Sequence, residues 1–135
     1  MKRIFMLLAI SSLMISKIYS QQTKSIHLTA FDLTEIPDSL MGSSCVYSAS
    51  KVQHDANKFL FFDDLNGTCI IKIDHQIIII KAKENKYTYG DYTIYIQKEN
   101  KIAELDEGFI LNAELVIIDR KGNKVIRKVY GSCGS

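Results

Sequence analysis

Residues 68–83, TCIIKIDHQIIIIKAK, place two runs of β-forming residues on either side of Asp74-His75. Two such runs separated by two turn-type residues are the strongest short-range signal for a β-hairpin. Asp and His are both enriched at positive φ, which a two-residue hairpin turn demands. If those two residues form the turn, Ile73 faces Gln76, Ile71 faces Ile78 and Cys69 faces Ile80 on one side of the ribbon. The other side pairs Lys72 with Ile77 and Ile70 with Ile79, because side chains alternate along a strand. One face is almost wholly apolar and the second about half apolar. A strand bordering water on one side alternates more cleanly, so part of the second face needs a cover. A further sheet layer, the N-terminal segment or another subunit could supply it. Four consecutive isoleucines on a free edge invite aggregation, which argues for an interior strand position.

The chain begins with Lys2 and Arg3, followed by an apolar run over residues 4–15 broken only by Ser11 and Ser12. Residues 16–20 then lead to a small residue before Gln21. This is the layout of a secretory signal peptide over residues 1–20, cleaved near Ser20. The run is shorter than the roughly 20 apolar residues of a membrane span. A buried N-terminal helix is the competing reading. No cysteine lies near residue 20, which speaks against a lipid anchor. The expectation is an exported protein, periplasmic or secreted.

Export changes the charge argument. Lys2, Arg3 and Lys17 account for three of the 17 basic residues, leaving 14 against 15 acids and a formal charge of −1 rather than +2. A nucleic-acid partner has no support from that balance. The 115 residues after the signal suffice for one domain with one core. They divide into an N-terminal arm over residues 21–44 and a β domain over residues 45–135. The arm contains the only proline, Pro37, in a loop-like stretch, and is long enough to lie across the spare hairpin face.

Three cysteines in an exported chain imply one disulfide and one thiol left over. Cys69 falls on the apolar hairpin face, where a thiol behaves as a small hydrophobe. Cys45 and Cys133 both lie among small residues, so a Cys45–Cys133 bridge joining the first and last strands is the preferred pairing, with pairing through Cys69 the alternative.

Further strands follow from alternation. Residues 58–63 form a compact aromatic strand, and residues 92–97 place Tyr92, Ile94 and Ile96 on one face. Residues 98–108 are charged and read as a brief helix or a loop. Phe109, Leu111, Ala113, Leu115 and Ile117 share one face of a long strand, with a turn at residues 120–123. The returning strand sets Glu114 opposite Lys128. Arg127 fits that register poorly, which suggests a bulge or a shift. The fold class is all-β: a single antiparallel meander of about seven strands, closed as a small β-barrel, with a two-layer sandwich as the alternative.

Chemistry is sparse. His54-Asp55, Asp74-His75 and Asp63-Asp64 offer metal-type ligands in separate loops, without ligand spacing, so no metal or other cofactor is expected. No GxSxG elbow occurs, and the carboxylates at 63, 64, 104, 106 and 107 read as solvated surface. A small hydrolase or metal-dependent enzyme is therefore the alternative to a non-catalytic binding or envelope-associated protein; a structural homodimer through the spare isoleucine face is another. Tyr87, Tyr89, Tyr92 and Tyr95 are the candidate contact residues, with Tyr47, Phe59 and Phe62 as neighbours. Tyrosine combines apolar area with a hydroxyl, which suits partner binding. The partner class is an envelope or extracellular protein or a glycan. Asn66-Gly67-Thr68 matches an N-glycosylation acceptor and equally a hairpin turn. Asp38-Ser39-Leu40 matches an Asp-Ser/Thr-aliphatic O-glycosylation acceptor.

The Tyr-Ser-Gln at residues 19–21, the small-residue segment around Cys45 and the terminal Gly-Ser-Cys-Gly together resemble small exported all-β proteins of Bacteroidota. That resemblance implies export and carries no activity with it. The lysozyme-inhibitor barrels of the periplasm are similar in size and β content. Tyr89-Gly90-Asp91-Tyr92 is only a loose analogue of their inhibitory loop, so no inhibitory residue is carried over.

Overall fold

The computed structural model describes residues 26–135. The signal peptide expected over residues 1–20 lies outside the described residues. Eight antiparallel strands make up the fold: β1 (Ser44–Ser48), β2 (Phe61–Asp63), β3 (Thr68–Ile73), β4 (Gln76–Lys81), β5 (Tyr87–Tyr89), β6 (Tyr92–Leu105), β7 (Gly108–Ile118) and β8 (Lys124–Gly134). Each strand pairs with its sequence neighbour, and β8 returns to pair with β1, giving the order β4-β3-β2-β1-β8-β7-β6-β5. The ring is nearly closed. β4 and β5 are the two outer strands, so the isoleucine strand expected inside the sheet is an outer one with Ile79 exposed. A tight turn joins β4 and β5, with one bridge between Lys83 and Lys86. Both turn residues, Glu84 and Asn85, have positive φ, as a two-residue hairpin turn requires. The result is an up-and-down β-barrel.

The central hairpin has the expected register from Ile73↔Gln76 to Thr68↔Lys81. Asp74 and His75 take φ of 49° and 65°, which twists the turn in the same hand as its strands. Inward-facing residues of all strands form one cluster that includes Tyr47, Phe61, Ile71, Ile94, Leu111, Leu115 and Val129. Gly131 lies on this inner face beneath Tyr47. A Cβ there would meet the Tyr47 ring at 2.6 Å, so glycine is what lets the ring come this close to β8.

The second face of the hairpin is covered by the N-terminal arm. Leu28 bridges Ile73, and Ile26 and Leu28 pack against the inner cluster. Phe31 then pairs with Phe59, and the chain passes to the outside of the barrel. There Phe31 and Ile36 bury Phe59, Phe62 and Ile70 in a second cluster, with Ile77 at its margin. Lys72, on that face, is met by Glu35 of the arm at 2.7 Å.

Four further details differ from expectation. An eighth strand, β5, is present. Residues 98–105 form neither helix nor loop but continue β6, because β7 offers a ladder partner as far as Gly108. Two register shifts in that segment break the alternation by which a strand is recognised. Phe59 and Phe62 lie under the arm rather than beside the tyrosines. Finally, β7 and β8 pair without a bulge, with Arg127 opposite Leu115. β1 reaches β8 only as far as Tyr130, so no strand flanks Arg127 on that side and it is exposed.

Candidate functional site

The two ends of the barrel are built differently. The 1–2, 3–4, 5–6 and 7–8 connections lie at one end, which Ile26 and Leu28 fill from the arm. At the other end, where the 2–3, 4–5 and 6–7 connections lie, a cavity of about 720 Å³ opens between the sheet walls. Its walls are Tyr47, Phe61, Tyr87, Ile94, Ile96 and Phe109, and its charged groups are Asp63, Lys86 and Glu99. Cys45 and Cys133 also line it, joined by a disulfide between directly paired positions of β1 and β8. This is the preferred pairing, and it clasps the seam where the first strand meets the last.

Alternation from Phe61 turns Asp63 inward. The Tyr87 hydroxyl donates to its carboxylate at 2.9 Å, and the Leu65 N–H also donates to it at 2.9 Å. Phe61 lies between Tyr47 and Tyr87, with ring centroids 6.0 and 6.2 Å away. Burial pushes the Tyr47 phenol well above the ordinary tyrosine range, and the charges of Glu99 and Asp63 push it further. Burial, and then the hydrogen bond to Asp63 and the charge of that carboxylate, raise Tyr87 as well.

Glu99 reaches the cavity because of a bulge. Gln97 pairs with Glu114 and Asn100 with Asn112, so Lys98 and Glu99 together oppose Ala113. Lys98 has φ of 53°, and its ammonium turns to Glu114 on the outer face at 3.6 Å. Glu99 is left among the cavity-lining residues. In an unbroken alternation from Ile94 and Ile96, the inward residue would have been Lys98.

The four candidate tyrosines are divided. Tyr87 stands across from Ile94 and Tyr89 across from Tyr92, which puts those three on the inward side, while Tyr95 belongs to the opposite face of β6. Tyr87 and Tyr92 pack on the core, whereas Tyr89 and Tyr95 are 42% and 36% exposed. Tyr47 joins Tyr87 and Tyr95 among the residues that line the cavity.

A second cluster lies outside the barrel. Helix α1 (Lys51–Asp55) holds His54 so that its Nε2 meets Ser132 Oγ of β8 at 2.9 Å. His54 Nδ1 lies 3.9 Å from Asp55 Oδ1, too far for a hydrogen bond. Its ring is wedged edge-on between Phe59 and Tyr130. Burial lowers the His54 pKa from its ordinary value, and Asp55 offsets this in part. Sequence reasoning had no means of joining residue 54 to residue 132. The thiol of Cys69 is fully buried, and burial raises its pKa, so it is poorly suited to act as a nucleophile.

Among the described residues, no group of three or more metal-ligating side chains converges, and no helix is long and apolar enough to cross a membrane. No family model matches this chain, and neither a curated protein nor a solved structure matches it.

Proposed function

We propose that this protein is an exported, non-catalytic binding protein whose barrel takes up a small, largely apolar molecule at the disulfide end. The observation that carries the reading is the cavity of about 720 Å³, open at one end of a barrel whose other end is filled. Eight strands enclose an interior that is either filled by side chains or holds one small ligand. Ligand pockets typically measure roughly 300–1,000 Å³, with mostly apolar walls and a few polar groups to fix orientation. The Cys45–Cys133 disulfide suits an oxidising compartment, which agrees with export.

The test is titration of the purified protein with N-phenyl-1-naphthylamine, a neutral dye that brightens in apolar surroundings. Saturable binding at one site, abolished by filling the cavity with Ile94→Trp, is the expected result. No binding, or binding unaffected by that substitution in a folded variant, overturns the proposal.

A hydrolase reading has one observation behind it, the His54–Ser132 contact. The histidine lacks an orienting hydrogen bond from Asp55. Ser132 sits in mid-strand between Val46 and Ile110, where ladder pairing occupies the neighbouring backbone N–H groups that acyl transfer would need for an oxyanion. The contact is better explained as a clip that fastens α1 to the barrel wall.

A further inference from the structure

We infer that the molecule taken into the barrel is an organic cation, an amine or quaternary ammonium with an apolar body; this rests on the reading of the cavity as a ligand site. Three observations converge on it.

The first is the charge of the lining. Among the described lining residues Asp63 and Glu99 are carboxylates and Lys86 is the one cation, with Lys101 at the edge against Phe109. Glu99 and Lys86 are both exposed. The bulge at Lys98 sharpens this, because it sends an ammonium to the outer face and leaves a carboxylate in the cavity wall. Bulges re-aim side chains in this way next to functional sites.

The second is the aromatic wall. Tyr47, Phe61, Tyr87 and Phe109 surround the space. The face of an aromatic ring attracts a cation, more so when water is excluded, and such rings recognise ammonium ligands. Third, the chain already places a cation this way: the Lys101 ammonium lies 4.5 Å from the centre of the Phe109 ring. A ligand ammonium deeper in the cavity would meet the same kind of surface with the two carboxylates close by.

The Tyr87 hydroxyl is committed to Asp63 and holds that carboxylate in place.

The experiment is calorimetric titration of the purified protein with three ligands of equal chain length: octyltrimethylammonium, octan-1-ol and octanoate. The cation should bind at least about tenfold more tightly than the alcohol, as expected for one cation–aromatic contact plus an ion pair. Octanoate should bind most weakly. Glu99→Gln should remove most of the preference for the cation over the alcohol. That variant is chosen because Glu99 is exposed on a bulge and makes no packing contact in the core. Asp63→Asn is the second variant, with circular dichroism to confirm folding. If the alcohol or octanoate binds as tightly as the cation, the ligand class is wrong and the cavity reading survives. If none of the three ligands and no neutral dye binds, the cavity reading fails and this inference falls with it.

Discussion

The two ends of this barrel are made from the same alternating strands, yet one is solid and the other hollow. At the filled end, the arm contributes Ile26 and Leu28 to the core before crossing to the outside, where Phe31 and Ile36 continue the burial. At the hollow end, strands of the same kind carry Asp63, Tyr87 and Glu99, and no segment of the described chain is laid across them. Apolar volume supplied from outside the barrel sequence is what separates the two. On the binding reading, the packing added by the arm and the space left for a ligand come from different stretches of chain.

Breaking the clasp at the hollow end should have the largest effect. The disulfide closes a loop spanning 88 residues, and in the chain-entropy model its removal costs about 4–5 kcal/mol. Cys45→Ala with Cys133→Ala should show that loss in chemical denaturation. A loss below about 1 kcal/mol would mean that β1 and β8 hold their seam without it.

The filled end comes next. Phe31→Ala removes a ring that is 2% exposed and should cost about 3–4 kcal/mol. Dye affinity in the folded variant should stay within about twofold, because Phe31 lies on the far side of the sheet from the cavity. A large loss of affinity at unchanged fold would show that the two ends are coupled.

The smallest effect concerns the clip on the outer wall. His54→Gln should cost about 1 kcal/mol through the bond to Ser132. Burial holds the folded-state pKa of His54 below 6.5, so the unfolded chain takes up the proton more readily. This contribution is therefore complete above about pH 6.5 and is lost as the pH falls toward the depressed folded value. Subtracting the variant's pH–stability profile from the parent's should leave a difference that grows with pH across that window. A difference of the opposite slope would place a charged histidine in the native state.

Legibility in the sequence followed regularity. The central hairpin and its register could be read because Asp74-His75 supplies the turn and period-two alternation fixes what faces what. The β7–β8 register, with Glu114 opposite Lys128, was readable for the same reason. The Cys45–Cys133 pair could be preferred because Cys69 fell on an apolar face. What escaped was whatever interrupts the period. Residues 98–105 are one strand in the structure, yet two register shifts and a run of charges erase its signature. Glu99 was unreadable as a cavity residue, since its inward position exists only because Lys98 takes a left-handed backbone conformation. Tyr47 and Tyr87 come from strands far apart in sequence, and only closure of the ring makes them neighbours of one space. The His54–Ser132 contact depends on where a five-residue helix docks, which no local pattern encodes.

The ring's weakest joint has a mechanical consequence. Every other pair of neighbouring strands is zipped by a ladder, but between β4 and β5 only Lys83 and Lys86 exchange backbone bonds, at 2.9 and 3.0 Å. Tyr87 follows directly after that joint. On the binding reading proposed above, the least zipped side of the wall is therefore the one beside the cavity.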